Sequence, residues 1–133
     1  MEELIGIEIE EKGEVVVARL TGELDISVAE TTGRRIADAV PSSARGVVVD
    51  MSALEFMDSS GVSMLFSLAR QVGSHRQELR VVAPPGRPVA RVLEIVEFGR
   101  AAPVHQDLDS AVGEMAMPQA YRRPRARTRA RPR

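Results

Sequence analysis

The segment Asp58-Ser59-Ser60-Gly61 contains the residues of this chain best suited to chemistry, because it places two serine hydroxyls between an apolar run and an amphipathic run. The spacing predicts a strand at Val47 to Met51 and a helix directly after the segment. The start of a helix offers unpaired backbone N–H groups and a partial positive charge. A phosphate added to Ser59 would meet hydrogen-bond donors there, so the segment is predicted to be a modifiable surface.

The same four residues also have a purely structural interpretation. Asp and Ser cap helix N-termini, and a glycine lets two stretches of backbone approach closely. A cap alone explains neither the apolar pair Phe56-Met57 before the segment nor the turn Gly22-Glu23-Leu24-Asp25 upstream. The surrounding sequence therefore favours a functional surface over a simple cap.

A catalytic serine is the enzymatic alternative, because an exposed serine between a strand and a helix resembles a nucleophile elbow. The elbow requires glycine two residues before and two residues after the serine. Around Ser59 those positions hold Met57 and Gly61, so only the second one fits. His75 follows the helix that Ser59 begins, about 20 Å away at ~1.5 Å per residue, and His105 is predicted to lie on a loop. The sequence therefore disfavours a serine hydrolase.

Composition excludes several other kinds of site. The chain of 133 residues has no cysteine, which excludes disulfides, thiol catalysis and zinc–thiolate sites. No Walker or dinucleotide-binding glycine pattern occurs, no metal site is indicated, and no cofactor is predicted. The apolar stretches are too short to span a bilayer and no basic-then-apolar leader is present, so we expect a cytoplasmic protein that does not bind a membrane.

Charge divides the chain into two parts. Seven of its 18 basic residues are arginines after Pro118, where no acid occurs, which leaves 11 basic against 19 acidic residues in the body. An acidic body suits a partner with a basic face and argues against nucleic acid binding by the folded part. The Arg- and Pro-rich segment 118–133 is predicted to be disordered. A tail that is inert or binds only weakly and non-specifically is favoured over one that binds nucleic acid by counterion release.

Strand and helix patterns predict one mixed α/β domain over residues 1–117. Two strands around Lys12-Gly13-Glu14 predict a hairpin, and Ser27 is predicted to cap a helix that extends to about Val40. The further elements are a central strand 46–52, a helix to Gly73, a strand 79–83, a helix near Pro88, a short strand 101–104 and a helix 107–115. They predict a mixed sheet of four to five strands with about four helices packed mainly on one face. Right-handed crossovers would bring the Asp58-Ser59 turn and the Gly22–Asp25 turn to one edge of that sheet.

Three motifs, in this order and at this spacing, resemble a known family. They are Leu20-Thr21-Gly22-Glu23-Leu24-Asp25, Val47-Val48-Val49-Asp50-Met51-Ser52 and Phe56-Met57-Asp58-Ser59-Ser60-Gly61. The family is that of the STAS domains (sulphate transporter and anti-sigma factor antagonist), and the likeness, over roughly residues 4 to 115, is to the bacterial anti-sigma factor antagonists. The Arg-rich extension and the turn Val96-Glu97-Phe98-Gly99 depart from the family pattern.

The resemblance implies a binding protein rather than an enzyme. In such antagonists the first serine after the aspartate, here Ser59, is phosphorylated by the anti-sigma factor, a serine kinase with an ATP-binding fold. The unmodified antagonist binds that kinase and frees a sigma factor for transcription, and the phosphorylated antagonist is released. A STAS scaffold subunit of a larger signalling complex stays an alternative, which co-purification with sister STAS proteins instead of a kinase would indicate.

The candidate site combines one predicted phosphoacceptor, Ser59, with predicted partner-binding residues. The partner-binding residues are Asp25, Met57, Asp58, Ser60 and Gly61. Asp58 is expected either to cap the helix or to orient the Ser59 hydroxyl. Ser60 is expected to contact the partner or to satisfy a backbone group.

The other three candidates each have a structural alternative. Gly61 is expected to permit close packing at the helix start. Met57 could present an adaptable apolar contact, although a single methionine is more often part of the core. Asp25 is expected to be either part of the partner surface or an ordinary turn residue.

Overall fold

A five-stranded mixed sheet is the frame on which the candidate site is built. The computed structural model describes residues 5–117, so residues 1–4 and the predicted tail 118–133 lie outside the described residues. The elements are β1 (Ile5–Lys12), β2 (Val15–Leu24), α1 (Ala29–Asp38), β3 (Gly46–Met57), α2 (Ser59–Gly73), β4 (Glu78–Val82), α3 (Pro88–Ile95), a 3-10 turn (Phe98–Arg100), β5 (Val104–His105) and α4 (Leu108–Ala116). The strand order is β1-β2-β3-β4-β5. Strands β1 and β2 are antiparallel, and the other neighbours are parallel. The predicted mixed α/β fold is confirmed.

Successive side chains of the central strands point to opposite faces of the sheet, so the buried core is divided between the two faces. Val16 and Val47 point to the face that carries α1, α2 and α3, where most buried side chains belong to one cluster. Val15 and Val48 point to the other face and pack against α4 through Ala111. Three of the four helices therefore share one face, as the sequence predicts, and β2 and β3 are covered on both faces.

Strand β3 is longer than its apolar run predicts. It continues beyond Ser52 to Met57, although its register with β2 shifts twice along the way. Leu54 and Met57 stay buried on the face that carries three helices, because the irregular register compensates for the added residues. The strand therefore carries the chain to the residue before Asp58, and Ser59 has no loop in front of it.

Helix α1 begins differently from the prediction. The prediction of Ser27 as its cap is wrong, because the N-cap residue is Val28 and no side chain caps the helix. The Asp25 carbonyl instead accepts the N–H groups of Val28 and Ala29 at 3.1 and 2.9 Å. Ser27 donates to the Asp25 carboxylate, so its hydroxyl is not available to the helix.

Helix α2 ends at Gly73, where the sequence predicts a stop, but a different residue turns the chain. Arg76 has φ 61°, in the left-handed region that favours glycine. The Gln77 N–H donates to the Val72 carbonyl at 2.9 Å and the Arg76 N–H to the Gly73 carbonyl at 3.0 Å. This is a Schellman motif with arginine at the position where glycine is preferred.

Arg76→Gly is expected to raise the free energy of unfolding by about 0.5 to 1 kcal/mol, because the substitution removes the Cβ that disfavours the left-handed conformation. Chemical denaturation of both proteins measures this difference. Arg76→Ala is the matched control, since it removes the same charge and keeps the Cβ. Equal stabilisation by alanine would show that the arginine side chain, rather than backbone strain, costs the stability.

A polar cluster ties α4 and β5 to the sheet. Arg80 is only 6% exposed, and it donates to Glu114 of α4 and to His105 of β5, with 3.0 Å between its Nη1 and His105 Nε2. Because arginine can only donate, His105 accepts at Nε2 and donates from Nδ1 to the Ser110 hydroxyl at 2.8 Å. The contact requires a neutral imidazole. Burial, and next the charge of Arg80, lower the pKa of His105, against the opposing charges of Glu114 and Asp107.

The contribution of this cluster to stability is expected to decrease as the pH falls below about 6.5, the ordinary pKa of histidine. The unfolded chain takes up the proton first, so the contribution is complete above that pH and is lost towards the lowered folded-state pKa. Urea unfolding at about pH 7.5 and about pH 5.5 measures the change, which His105→Gln should reduce. His75→Gln is the control, because it leaves the cluster intact. A pH dependence identical in wild type and His105→Gln would contradict the prediction.

Within residues 5–117, no helix is both long enough and apolar enough to cross a bilayer.

Candidate functional site

The ends of β2 and β3 bring the two predicted parts of the site together. Leu24 pairs with Met57 at the last step of the parallel ladder, and the Asp58 N–H donates to the Leu24 carbonyl at 3.2 Å. Asp25 and Asp58 therefore follow adjacent strands at the same edge of the sheet. This placement confirms the predicted proximity of the two turns.

Asp58 caps α2 and collects donors from both turns. Its Oδ1 accepts the N–H groups of Ser60 at 2.9 Å and Gly61 at 3.3 Å, and it also accepts the Ser60 hydroxyl. The Ser60 hydroxyl, followed by the N–H groups of Ser60, Gly61 and Ile26, lowers the pKa of Asp58 against a smaller opposing effect of burial. Asp58 is thus a charged cap that connects the start of α2 to the turn before α1.

The two neighbouring serines have different surroundings. Ser60 is half-buried and its hydroxyl is held by Asp58, so the expectation that Asp58 orients the Ser59 hydroxyl is not met. Ser59 is exposed, and among residues 5–117 its hydroxyl has no hydrogen-bond partner. Ser59 is also the first residue of α2, next to the cap. The free hydroxyl at the helix start therefore belongs to Ser59.

Met57 and Gly61 lie beneath this surface. Met57 is 5% exposed and belongs to the core, so the prediction of a direct partner contact by its side chain is replaced by a packing role. A Cβ at position 61 would lie 2.5 Å from Met57 Cγ and 3.0 Å from Leu24 Cγ, closer than side chains tolerate. Glycine at this position therefore lets α2 start directly against the ends of both strands, as the sequence predicts.

Asp25 repeats the local geometry of Asp58. Its Oδ1 accepts the N–H of Ser27 at 3.0 Å and the Ser27 hydroxyl at 2.6 Å. The spacing Asp-x-Ser occurs again at Asp50 and Ser52 with the same pair of bonds. This repeated spacing is a sequence signal that our motif search missed, and it identifies Asp25 at least as a turn residue. Its half-buried carboxylate borders the site.

Exposed apolar side chains flank the site. Ile26 is 79% exposed, and Phe56, three residues before Ser59, is 47% exposed. The sequence analysis did not single out Ile26, because one isoleucine in a turn carries no pattern. Exposed apolar groups beside polar ones are typical of protein-binding surfaces.

A groove of about 730 Å³ runs between α1 and α2 from this edge of the sheet. We call it the α1–α2 groove, and it is bordered by Ile26, Glu30 and Arg34 on one side and by Ser59, Ser63 and Ser67 on the other. The three serines follow one another at intervals of four residues, so they share one side of α2. The sequence analysis did not predict the groove, because its α1 side contains no recognisable motif.

The described residues do not supply Ser59 with a catalytic base. The ring of His75 contacts the Gln71 carbonyl at the far end of α2, and His105 belongs to the cluster on the opposite face of the sheet. Nor do residues 5–117 contain a group of three or more His, Asp or Glu side chains that could hold a metal ion. Neither histidine of the chain therefore lies where it could act as a base for Ser59.

The family model of the STAS domain matches residues 6–111, which include the edge of the sheet and both neighbouring helices. The chain belongs to the STAS domain family. The match spans the hairpin, Asp25, the segment 58–61 and the first turn of α4, so it covers every element that positions Ser59.

Relatives of this STAS domain are named as anti-sigma factor antagonists. The anti-sigma F factor antagonist of Paenibacillus polymyxa is 26% identical over 110 residues, which cover 82% of this chain and 93% of the relative. The crystal structure of an anti-sigma factor antagonist from Mycobacterium paratuberculosis matches with a TM-score of 0.73 and 27% identity, over 82% of this chain and 92% of that one. The antagonist SpoIIAA, solved in its unphosphorylated form, matches with a TM-score of 0.62 and 25% identity, over 80% and 94%.

Proposed function

We propose that this STAS domain is a cytoplasmic anti-sigma factor antagonist that binds a serine-kinase anti-sigma factor while Ser59 is unmodified. Binding frees a sigma factor, and phosphorylation of Ser59 releases the kinase. The observation that carries the proposal is the exposed hydroxyl of Ser59, which has no partner within residues 5–117, beside a neighbour, Ser60, whose hydroxyl is occupied. The structure of the relative SpoIIAA is described as that of its unphosphorylated form. This wording supports the existence of a phosphorylated form in this group of proteins.

The reaction is a phosphoryl transfer for which the kinase supplies ATP and the catalytic groups. Ser59 Oγ forms the new bond to the γ-phosphorus, the bond from that phosphorus to ADP breaks, and the hydroxyl proton passes to a base on the kinase. The contribution of this chain is positional. Asp58 fixes the start of α2 and turns Ser60 inward, so that Ser59 faces outward at the end of the α1–α2 groove.

Phosphorylation changes the charge of the surface more than its shape. The phosphate adds about −1.5 to −2 charges at neutral pH, beside Asp58 and near Asp25. The start of α2 offsets this by only about 0.3 to 1 kcal/mol at an exposed site. A loss of about 3 kcal/mol at the interface lowers affinity more than a hundredfold. The added bulk, and the cost of burying a hydrated dianion in a contact formed around a neutral hydroxyl, therefore suffice for release, and the domain does not need to refold.

The proposed partner surface consists of the polar turns and the exposed apolar groups beside them. Asp25 and Asp58 are suited to a partner with a basic face, and Ile26 and Phe56 offer apolar contacts at the same edge. Ser60 and Gly61 hold this surface in shape from the first turn of α2.

Phosphate mapping is the test of the modification site. Incubation of the full chain with its co-purifying kinase and ATP is expected to add a single phosphate, which mass spectrometry should place on Ser59. Ser59→Ala should abolish the incorporation and Ser60→Ala should retain it, because among the described residues Asp58 holds the Ser60 hydroxyl and none holds that of Ser59. Phosphate on Ser60, or undiminished incorporation into Ser59→Ala, would contradict the proposal. Co-purification of sister STAS proteins without a kinase would instead support the scaffold function.

A further inference from the structure

Among the described residues that line the α1–α2 groove, one is cationic. Its charged lining residues are Glu30, Arg34 and Asp38, and Ser59 stands at its end. A phosphate on Ser59 would therefore enter a groove whose other charged groups are carboxylates. Arg34 is the group in that groove that can attract it.

Packing between the helices directs the Arg34 side chain towards the end of the groove where Ser59 lies. Both helices start at the same edge of the sheet after parallel strands, and a Cβ at position 33 would lie 2.7 Å from Met64 Cγ, so the helices touch there. Ala29 and Ser60 each lie four residues, or about one helical turn, before the two residues in contact. Ala29 therefore lies beside Ser60, nearer the starts of the two helices. The Arg34 side chain extends in that direction, because its Nη2 lies 3.3 Å from Glu30 Oε2.

The present partner of Arg34 is weakly held. In the Glu30–Arg34 ion pair the two side chains are 88% and 64% exposed, and exposed pairs of this kind contribute little to stability. A phosphate dianion carries nearly twice the charge of a carboxylate and has three acceptor oxygens, which suit the planar donors of a guanidinium.

We propose that Arg34 is an internal receptor for the phosphate of modified Ser59. This inference rests on the proposed function and specifies how the modified state is held. In that state Arg34 leaves Glu30 and bridges α1 to the phosphate across the α1–α2 groove. The phosphate then occupies the end of the groove next to Ile26, so phosphorylation also closes part of the surface that the partner would contact. Arg34 is a positioning residue for the phosphate and takes no part in the transfer.

The experiment measures the second pKa of the phosphate by phosphorus NMR at low ionic strength. Phosphoserine is incorporated at position 59 of the full chain during translation, so the measurement does not depend on any kinase. Glu30 and Asp58 favour the protonated phosphate, and Arg34 favours the dianion. Arg34→Gln is therefore expected to raise the pKa of the phosphate by roughly half a unit, since solvent screens a contact at the surface.

Arg35→Gln is the matched control. It removes the same charge from the adjacent residue of α1, which is exposed and does not line the groove. The control is expected to leave the pKa of the phosphate at its wild-type value. No change in Arg34→Gln, or equal changes in both variants, would overturn the inference, because the effect would then be absent or a general effect of net charge. Phosphate mapping that failed at Ser59 would reject the proposed function and leave this measurement interpretable.

Discussion

Replacing Ser59 with aspartate is expected to weaken binding to the partner kinase by tenfold or more, which corresponds to about 1.4 kcal/mol. The new carboxylate adds bulk and a charge where the partner packs against a neutral hydroxyl, and a charge that an interface desolvates without a matched partner is costly. Aspartate carries about half the charge of the phosphate, so phosphorylated protein should bind more weakly still. Isothermal titration of the kinase with wild type, Ser59→Ala and Ser59→Asp measures the series, in which alanine should keep most of the affinity.

Two measurements separate this effect from damage to the fold. An acidic residue at the first position of a helix is favourable, so Ser59→Asp should unfold at the same denaturant concentration as wild type or slightly above it. Ser67→Asp adds the same charge to the same side of α2 about 12 Å along the helix, and it should bind the kinase almost normally. Equal weakening by Ser67→Asp would mean that net charge, rather than the position of Ser59, determines release.

The frame of the site could be predicted from the sequence because it depends on patterns that extend over many residues. The apolar run Val47 to Met51 predicts a buried strand, and a parallel neighbour then brings Asp25 beside Asp58. Gly61 could also be assigned to close packing, because a glycine in the first turn of a helix permits the close approach of neighbouring elements. These conclusions depend on the periodicity of apolar residues and on the direction in which neighbouring strands run. Both can be inferred from the sequence.

Some features of the site were harder to predict. Asp58 could accept either serine, and the Asp-x-Ser spacing repeated at Asp25 and Asp50 is the local signal that it holds Ser60. Arg76 replaces glycine at the turn after α2, so the sequence offers no signal for the left-handed residue. The α1–α2 groove depends on the contact between Gly33 and Met64, which are distant in sequence. The groove therefore follows from packing between elements, which no local pattern records.

Gly46→Ala is expected to lower the free energy of unfolding by about 3 kcal/mol, near the upper end for an overpacked site. Gly46 is buried at the start of β3 and pairs with Glu78 at the start of β4. An added Cβ would lie 2.1 Å from the Glu78 carbonyl oxygen and 2.7 Å from its nitrogen. Both atoms are backbone, so no side chain can rotate away, and β4 would have to shift along the ladder it shares with β3.

Gly113→Ala is the control for this prediction because the same methyl group should have the opposite effect there. Gly113 lies exposed within α4, and an added Cβ would meet no atom within 4 Å. Alanine in a helix is about 1 kcal/mol more favourable than glycine, so this variant should be stabilised by up to that amount. Urea unfolding of both variants beside wild type measures the difference. A Gly46→Ala variant as stable as wild type would show that β3 and β4 can separate at their start without loss, which would contradict the tight pairing that positions the central strand.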